Sequence, residues 1–203
     1  MDGTLLDLHF DNHFWLEHMP KRYAEKHSIS MEKASELLLE NYKSHEGSLK
    51  WYCLDHWEES LEMDIVSLKH EVADRIAIRD NVIEFLDYLN NLGKRVVLLT
   101  NAHRKTVNLK FEYVEIKNHF DRIITSHDVG FAKEQNGFWD EMHKVEDFEP
   151  VHSLFIDDNL DVLNAAKAHG VAHLLAIHQP DSKQSAKDTK DYTAVECYTQ
   201  LMA

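Results

Sequence analysis

Cysteine is scarce in this chain, and what little there is cannot build a disulfide framework: Cys53 and Cys197 are the only thiols in 203 residues. Long apolar runs are missing too, none approaching the roughly 18 residues of a membrane span. A reducing compartment, most simply the cytoplasm, is therefore the expected setting, with no membrane partner. Basic residues are in deficit: 22 Lys and Arg stand against 36 Asp and Glu, a formal net charge of −14. Phosphate backbones are held by Lys and Arg, so this balance excludes nucleic acid as an expected partner. A small anionic substrate would need a local cation to offset the field. With three Pro, six Gly and no repeats or low-complexity tracts, the chain is neither disordered nor loop-dominated.

What is there falls into two textures. Residues 20–77 carry helical periodicity and no strand pattern, with Ala34, Leu37, Leu38 and Tyr42 predicted on one face. From Asp80 onward helices alternate with apolar runs, the signature of crossover units on a parallel sheet, so the expected class is α/β with a Rossmann-like core. A helix over 80–91 buries Val82, Ile83, Phe85, Leu86 and Leu89 and stops at Gly93. Strands are predicted at 96–99, 122–125, 153–156 and 173–177, separated by helices around 106–117, 137–145 and 160–169.

In open parallel sheets ligands sit at the carboxyl ends of strands. The residues there are Thr100 and Asn101 after "VVLL", Asp157, Asp158 and Asn159 after "SLFI", and Lys133 in the loop after "RIIT". Thr100 offers a hydroxyl to a phosphoryl oxygen. Lys133 offers a positive charge, and the paired carboxylates are hard oxygen ligands suited to Mg²⁺. Each alone has an ordinary explanation as a helix cap or a solvated loop charge. Together with Asp2, Gly3 and Thr4 in "MDGTLLD", in this order along the chain, those explanations fail jointly.

This combination resembles the haloacid dehalogenase superfamily of phosphotransfer enzymes over essentially the whole chain. The resemblance makes Asp2-Gly3-Thr4 the tail of an Asp-x-Asp-Gly-Thr motif, Thr100 the second motif, Lys133 the third, and Asp157 with Asp158 the fourth. It implies Asp2 as general acid and base, Thr100 and Lys133 on the phosphoryl group, and Gly3, Thr4 and Asn101 lining the substrate. It implies Mg²⁺ held by the Asp2 carbonyl, Asp157 and Asp158. Residues 1–10 and 78–203 become the core, and 11–77 an inserted helical cap.

A narrower likeness runs through "HFDNHFW", "WYCLDHW" and "LLTNAH", which are similar to segments of bacterial GMP/IMP 5′-nucleotidases. It implies a small phosphorylated metabolite, a purine 5′-nucleotide, as substrate, with Trp15, Trp51, Tyr52 and Trp57 available to stack on the base. A sugar-phosphate phosphatase, a phosphomutase or a non-catalytic phosphate- and metal-binding module are the alternatives. Of the fifteen histidines, His169, His173 and His178 are expected at the surface, and His103 near the phosphate. The motif's nucleophilic aspartate would stand one position before Met1. The expectation is accordingly that the natural protein begins upstream, that the first core strand is missing from these 203 residues, and that they are inactive alone.

Overall fold

The computed structural model describes residues 1–202. Strand β1 (Val97–Thr100) pairs in parallel with β2 (Arg122–Thr125), Thr100 lying opposite Thr125. Strand β3 (Leu154–Asp157) pairs in parallel with β4 (His173–Ile177), which pairs in parallel with β5 (Thr193–Val195). β1 and β3 each lie one residue later than predicted, because backbone pairing runs on into Thr100 and Asp157. Both side chains therefore stand at the last paired position of a ladder. β5 went unpredicted: three residues are too short to display a period.

The sheet is in two parts. Between β1 and β3 lies a cleft of about 570 Å³, walled by Val97, Leu98 and Leu99 on one side and Leu154, Phe155 and Ile156 on the other. In the fold that the sequence resembles, the missing first strand lies here, between the strands that end at Thr100 and Asp157. The first residues do not fill it as a strand. They curl into a turn in which the N–H groups of Leu5 and Leu6 both donate to the Met1 carbonyl, at 2.8 and 3.0 Å. Leu154 is consequently 45% exposed, unusual for a parallel strand normally covered on both faces.

Helix α1 (His9–His13) continues through a π-helical turn at Phe14–His18 into α2 (Met19–His27). With α3 (Met31–Lys43), α4 (Leu54–Leu61) and α5 (Ile65–His70) these form a helical unit around Phe10, Phe14, Leu38, Tyr42, Trp57 and Ile65. Ser30 caps α3, its hydroxyl accepting from the Lys33 N–H at 3.2 Å. The face predicted on α3 needs one correction: Ala34, Leu38 and Tyr42 are buried at i, i+4 and i+8, but Leu37 falls off that row and is 39% exposed.

Helices α6 (Val82–Asn91), α7 (Arg104–Tyr113), α8 (Ser126–Val129), α9 (Phe138–Val145) and α10 (Leu160–His169) surround the strands. α7 ends four residues short of its expected limit, because Val114 turns extended. No helix among the described residues is long and apolar enough to cross a membrane.

Candidate active site

A cavity of about 490 Å³ lies between the helical unit and the carboxyl ends of β1 and β3. Asp2, Thr100, Asn101, Lys133, Asp157 and Asp158 form its floor, and Trp15, Tyr42, Trp51 and Tyr52 part of its wall. Six residues spread over more than 150 positions of sequence are thus brought together by crossover connections that return each strand end to one side of the sheet.

The Lys133 ammonium donates to Asp157 Oδ2 at 2.5 Å, and both side chains are buried. Lys133 is aimed by its own backbone, whose N–H donates to Asn101 Oδ1 at 2.9 Å. The Ser126 hydroxyl donates to the same oxygen, while Asn101 Nδ2 donates to Glu134 Oε2 at 2.8 Å. Asn101, expected on the substrate, is thus also the clamp between β1, α8 and the Lys133 loop. Thr100 Oγ1 accepts from the Ala102 N–H at 3.1 Å. Asp157 Oδ1 accepts from the Asn159 N–H at 3.0 Å, and Asn159 in turn caps α10 through the Asp161 N–H at 2.8 Å. The chain therefore turns sharply where the two carboxylates stand.

Asp158 is electrostatically uncomfortable. Burial, with the charge of Asp157 beside it, pushes its carboxyl up to about 6. Such a group favours a neighbouring cation. Gly3 makes room for it: a Cβ there would lie 2.5 Å from Asp158 Cγ, and Gly3 holds φ at +70°. Gly3→Ala should therefore destabilise the fold by about 1–3 kcal/mol through backbone strain alone, and move Asp158 as well. Urea denaturation checks the first effect, and calorimetric titration with Mg²⁺ the second. Stability within 0.5 kcal/mol of the parent, roughly the spread of neutral surface substitutions, would show the contact to be soft.

A second charged cluster was not legible in the sequence. Lys110 on α7 donates to Asp2 Oδ1 at 2.5 Å and also to Asp11 Oδ2, while Lys69 on α5 donates to Asp11 Oδ1 at 3.0 Å. Both lysine side chains are 1% exposed. Burial opposes ionisation of Asp11, but Lys110 and Lys69 outweigh it and hold the carboxyl well below the usual range. Lys69 also sits 4.3 Å from the centre of the Phe14 ring. Nothing local marks these lysines, which in sequence look like ordinary solvated helix residues. Tyr52, expected only as a stacking ring, also makes a contact that the sequence does not reveal: its hydroxyl donates to Glu134 Oε1 at 2.8 Å, tying the helical unit to the loop that carries Lys133.

Two sets of expected residues are placed differently. Gly3 and Thr4 stand behind Asp2 and do not line the cavity; Thr4 faces the cleft between β1 and β3, its carbonyl accepting from the Tyr198 hydroxyl at 2.9 Å. Trp57 is 2% exposed and donates its indole N–H to the Trp51 carbonyl at 2.8 Å, so its ring belongs to the core of the helical unit as well as to the wall. Trp15 and Trp51 are partly exposed. His169 is half-buried, its Nε2 2.9 Å from that of His143, and His103 stands on the cavity wall.

Comparison with known proteins accords with this geometry. The family model for haloacid dehalogenase-like hydrolases matches residues 1–170. The GMP/IMP nucleotidase YrfG of Escherichia coli K12 is 34% identical over 202 residues, covering all of this chain and 91% of that protein. YrfG of Shigella flexneri matches to the same extent, with 34% identity over 202 residues. Among solved structures, a HAD phosphatase from Thermococcus onnurineus superposes with a TM-score of 0.78 at 19% identity, covering 99% of this chain and 93% of that one.

Proposed function

The chain belongs to the haloacid dehalogenase-like hydrolases, and from that premise we propose that its cavity serves Mg²⁺-dependent hydrolysis of a phosphomonoester, with a purine 5′-nucleotide as substrate. The observation that carries this reading is the meeting of Asp2, Thr100, Lys133, Asp157 and Asp158 on one floor beneath an aromatic wall. The residues fit the ion. Asp158 is a half-buried hard oxygen ligand beside Asp157, its carboxyl raised by desolvation and by that neighbouring charge, and Gly3 leaves the space it needs. Asp157, Asp158 and the Asp2 carbonyl would hold Mg²⁺, which when bound supplies charge to neutralise phosphoryl oxygens.

The roles of the chain's own side chains follow. Thr100 and Lys133 bind and orient the phosphoryl oxygens, Lys133 itself being steadied by Asp157. In a chain that carries an Asp one residue before Met1, where the family's motif has its nucleophile, that carboxylate attacks phosphorus. As the bond to the ester oxygen breaks, Asp2 gives that oxygen its proton and the alcohol leaves. Water then attacks the aspartyl-phosphate. Asp2 takes the proton from the water, and phosphate departs as the carboxylate is regenerated. Residues 11–77 act as a cap that excludes bulk water and selects the leaving group, with Tyr52 to Glu134 fastening it down.

The test is a phosphate-release panel on a version extended upstream by an apolar strand ending in Asp, with Mg²⁺ and after chelation. Turnover of nucleoside monophosphates that vanishes on chelation is expected; metal-independent or absent turnover would overturn the reading. Trp51→Ala should lower kcat/KM for purine nucleotides by about tenfold or more, since a base stacked on an aromatic ring is worth roughly 1–3 kcal/mol. A small generic phosphate ester should be affected little. Trp57→Ala is the contrast: it should cost about 3–5 kcal/mol of stability and reduce both substrates alike. Equal losses for Trp51→Ala on both substrates would remove the base-stacking role.

A further inference from the structure

Three side chains outside the phosphate-binding floor meet where the helical unit touches the sheet. Cys53 immediately precedes α4, His103 immediately precedes α7, and His127 is the second residue of α8. One donor atom from each lies within 4.8 Å of the other two. The imidazoles of His103 and His127 stand perpendicular, with ring centres 4.7 Å apart. Their nitrogens are short of partners: His103 Nδ1 and both ring nitrogens of His127 are buried with no hydrogen bond among the described residues. A buried polar atom left unpaired is costly and asks for an explanation. Burial also lowers the proton affinity of both rings, which keeps them in the neutral form a metal requires.

We propose that Cys53, His103 and His127 form a site for a thiolate-binding divalent ion of the Zn²⁺ class, which joins the helical unit to the strand-end loops. One thiolate and two imidazoles suit such an ion and do not suit Mg²⁺, which takes oxygen ligands. Bonds of about 2.3 Å to sulfur and 2.0–2.1 Å to nitrogen put tetrahedral donors roughly 3.3–3.7 Å apart, so the three must close by about an ångström. That is within reach of side-chain torsions. Asp55 Oδ2, 3.7 Å from His103 Nε2, is placed to hold the second nitrogen of that ring while Nδ1 faces the ion. Binding releases the Cys53 thiol proton to solvent and leaves the fourth position to water. Because Cys53 belongs to the helical unit, His103 to the turn after β1 and His127 to the short helix α8 after β2, the ion clasps the helical unit to the strand ends beside the cavity. The proposal does not depend on the hydrolytic reading, since it needs neither Asp2 nor Mg²⁺.

The test uses the reduced 203-residue chain with Mg²⁺ in excess to saturate carboxylate sites. Zn²⁺ titration should show one equivalent bound with Kd below about 1 μM, and Co²⁺ should give the intense near-ultraviolet band of a thiolate ligand. Cys53→Ser and His127→Gln should each weaken binding by about 100-fold or more, since even indirect ligand supports are worth 10–100-fold. His143→Gln, which disrupts the separate His143 and His169 pair, should change nothing. Stoichiometric Co²⁺ without the thiolate band, unchanged affinity in Cys53→Ser, or binding lost only in His143→Gln would each overturn the proposal. The two site variants are read independently, and the wild-type Co²⁺ spectrum decides even where neither folds.

Discussion

A version carrying an apolar strand and Asp ahead of Met1 is expected to release phosphate from nucleoside monophosphates at least about 10⁴-fold faster than a polypeptide of these 203 residues. Asp2 cannot take over the attack. Its carboxylate is held by Lys110 at 2.5 Å, and it stands in a turn rather than at a strand end. Nor can Asp157 or Asp158, the first paired to Lys133 at 2.5 Å and the second carrying a raised proton affinity. Adding Asp alone should not rescue activity, because a nucleophile must be held within about 0.5 Å of its productive position. The cleft between β1 and β3 offers the means to hold it. A strand of five or six residues seated there would bury about four side chains, about 6–12 kcal/mol, against a typical total domain stability of about 5–15 kcal/mol. The strand-and-Asp version should thus gain both turnover and a markedly higher Tm. Assaying the three versions side by side on nucleoside monophosphates, with thermal melts alongside, separates the contributions. Full turnover by the 203 residues alone would refute the account.

Lys110→Met should destabilise the protein by about 3–5 kcal/mol, the cost of leaving buried carboxylates without their counter-charge. Lys110 is 1% exposed and serves Asp2 and Asp11 at once. Its own proton affinity is raised despite burial, because these two acids outweigh desolvation. Methionine matches the stem of lysine in length, so little packing is lost and the effect isolates the charge. The paired change Lys110→Met with Asp11→Asn should recover part of the loss, since it removes one of the two orphaned charges. Urea denaturation of the parent, both single variants and the double variant gives the coupling directly. An additive double variant, with no recovery, would mean that Lys110 contributes through its packing and not through Asp11.

Much of this molecule could be read from the order of its residues. Helix periodicity before residue 78 and alternating helix and apolar run after it reflect local geometry, because a 3.6-residue turn and a fully buried strand each impose their own pattern. Thr100, Lys133, Asp157 and Asp158 were legible because strand ends can be located from the runs that precede them, and ligands gather at those ends. The fold then required only that parallel crossovers bring the ends to one side. What sequence could not reveal were pairings between elements that are remote along the chain. Lys110 meets Asp2 across 108 positions and Tyr52 meets Glu134 across 82. Cys53, His103 and His127 come together from three different elements. A lysine on a helix looks the same whether its ammonium is solvated or shared by two buried acids, and a lone cysteine carries no spacing. Trp57 shows the same limit, since periodicity says that a tryptophan is buried on one face but not whether its ring fills a core or receives a ligand. Motif residues and element types are consequences of local stereochemistry and were decided by the sequence; the partners of the buried charges, the meeting of Cys53 with His103 and His127 and the burial of each ring of the aromatic wall depend on which faces dock, and tertiary packing alone decided those.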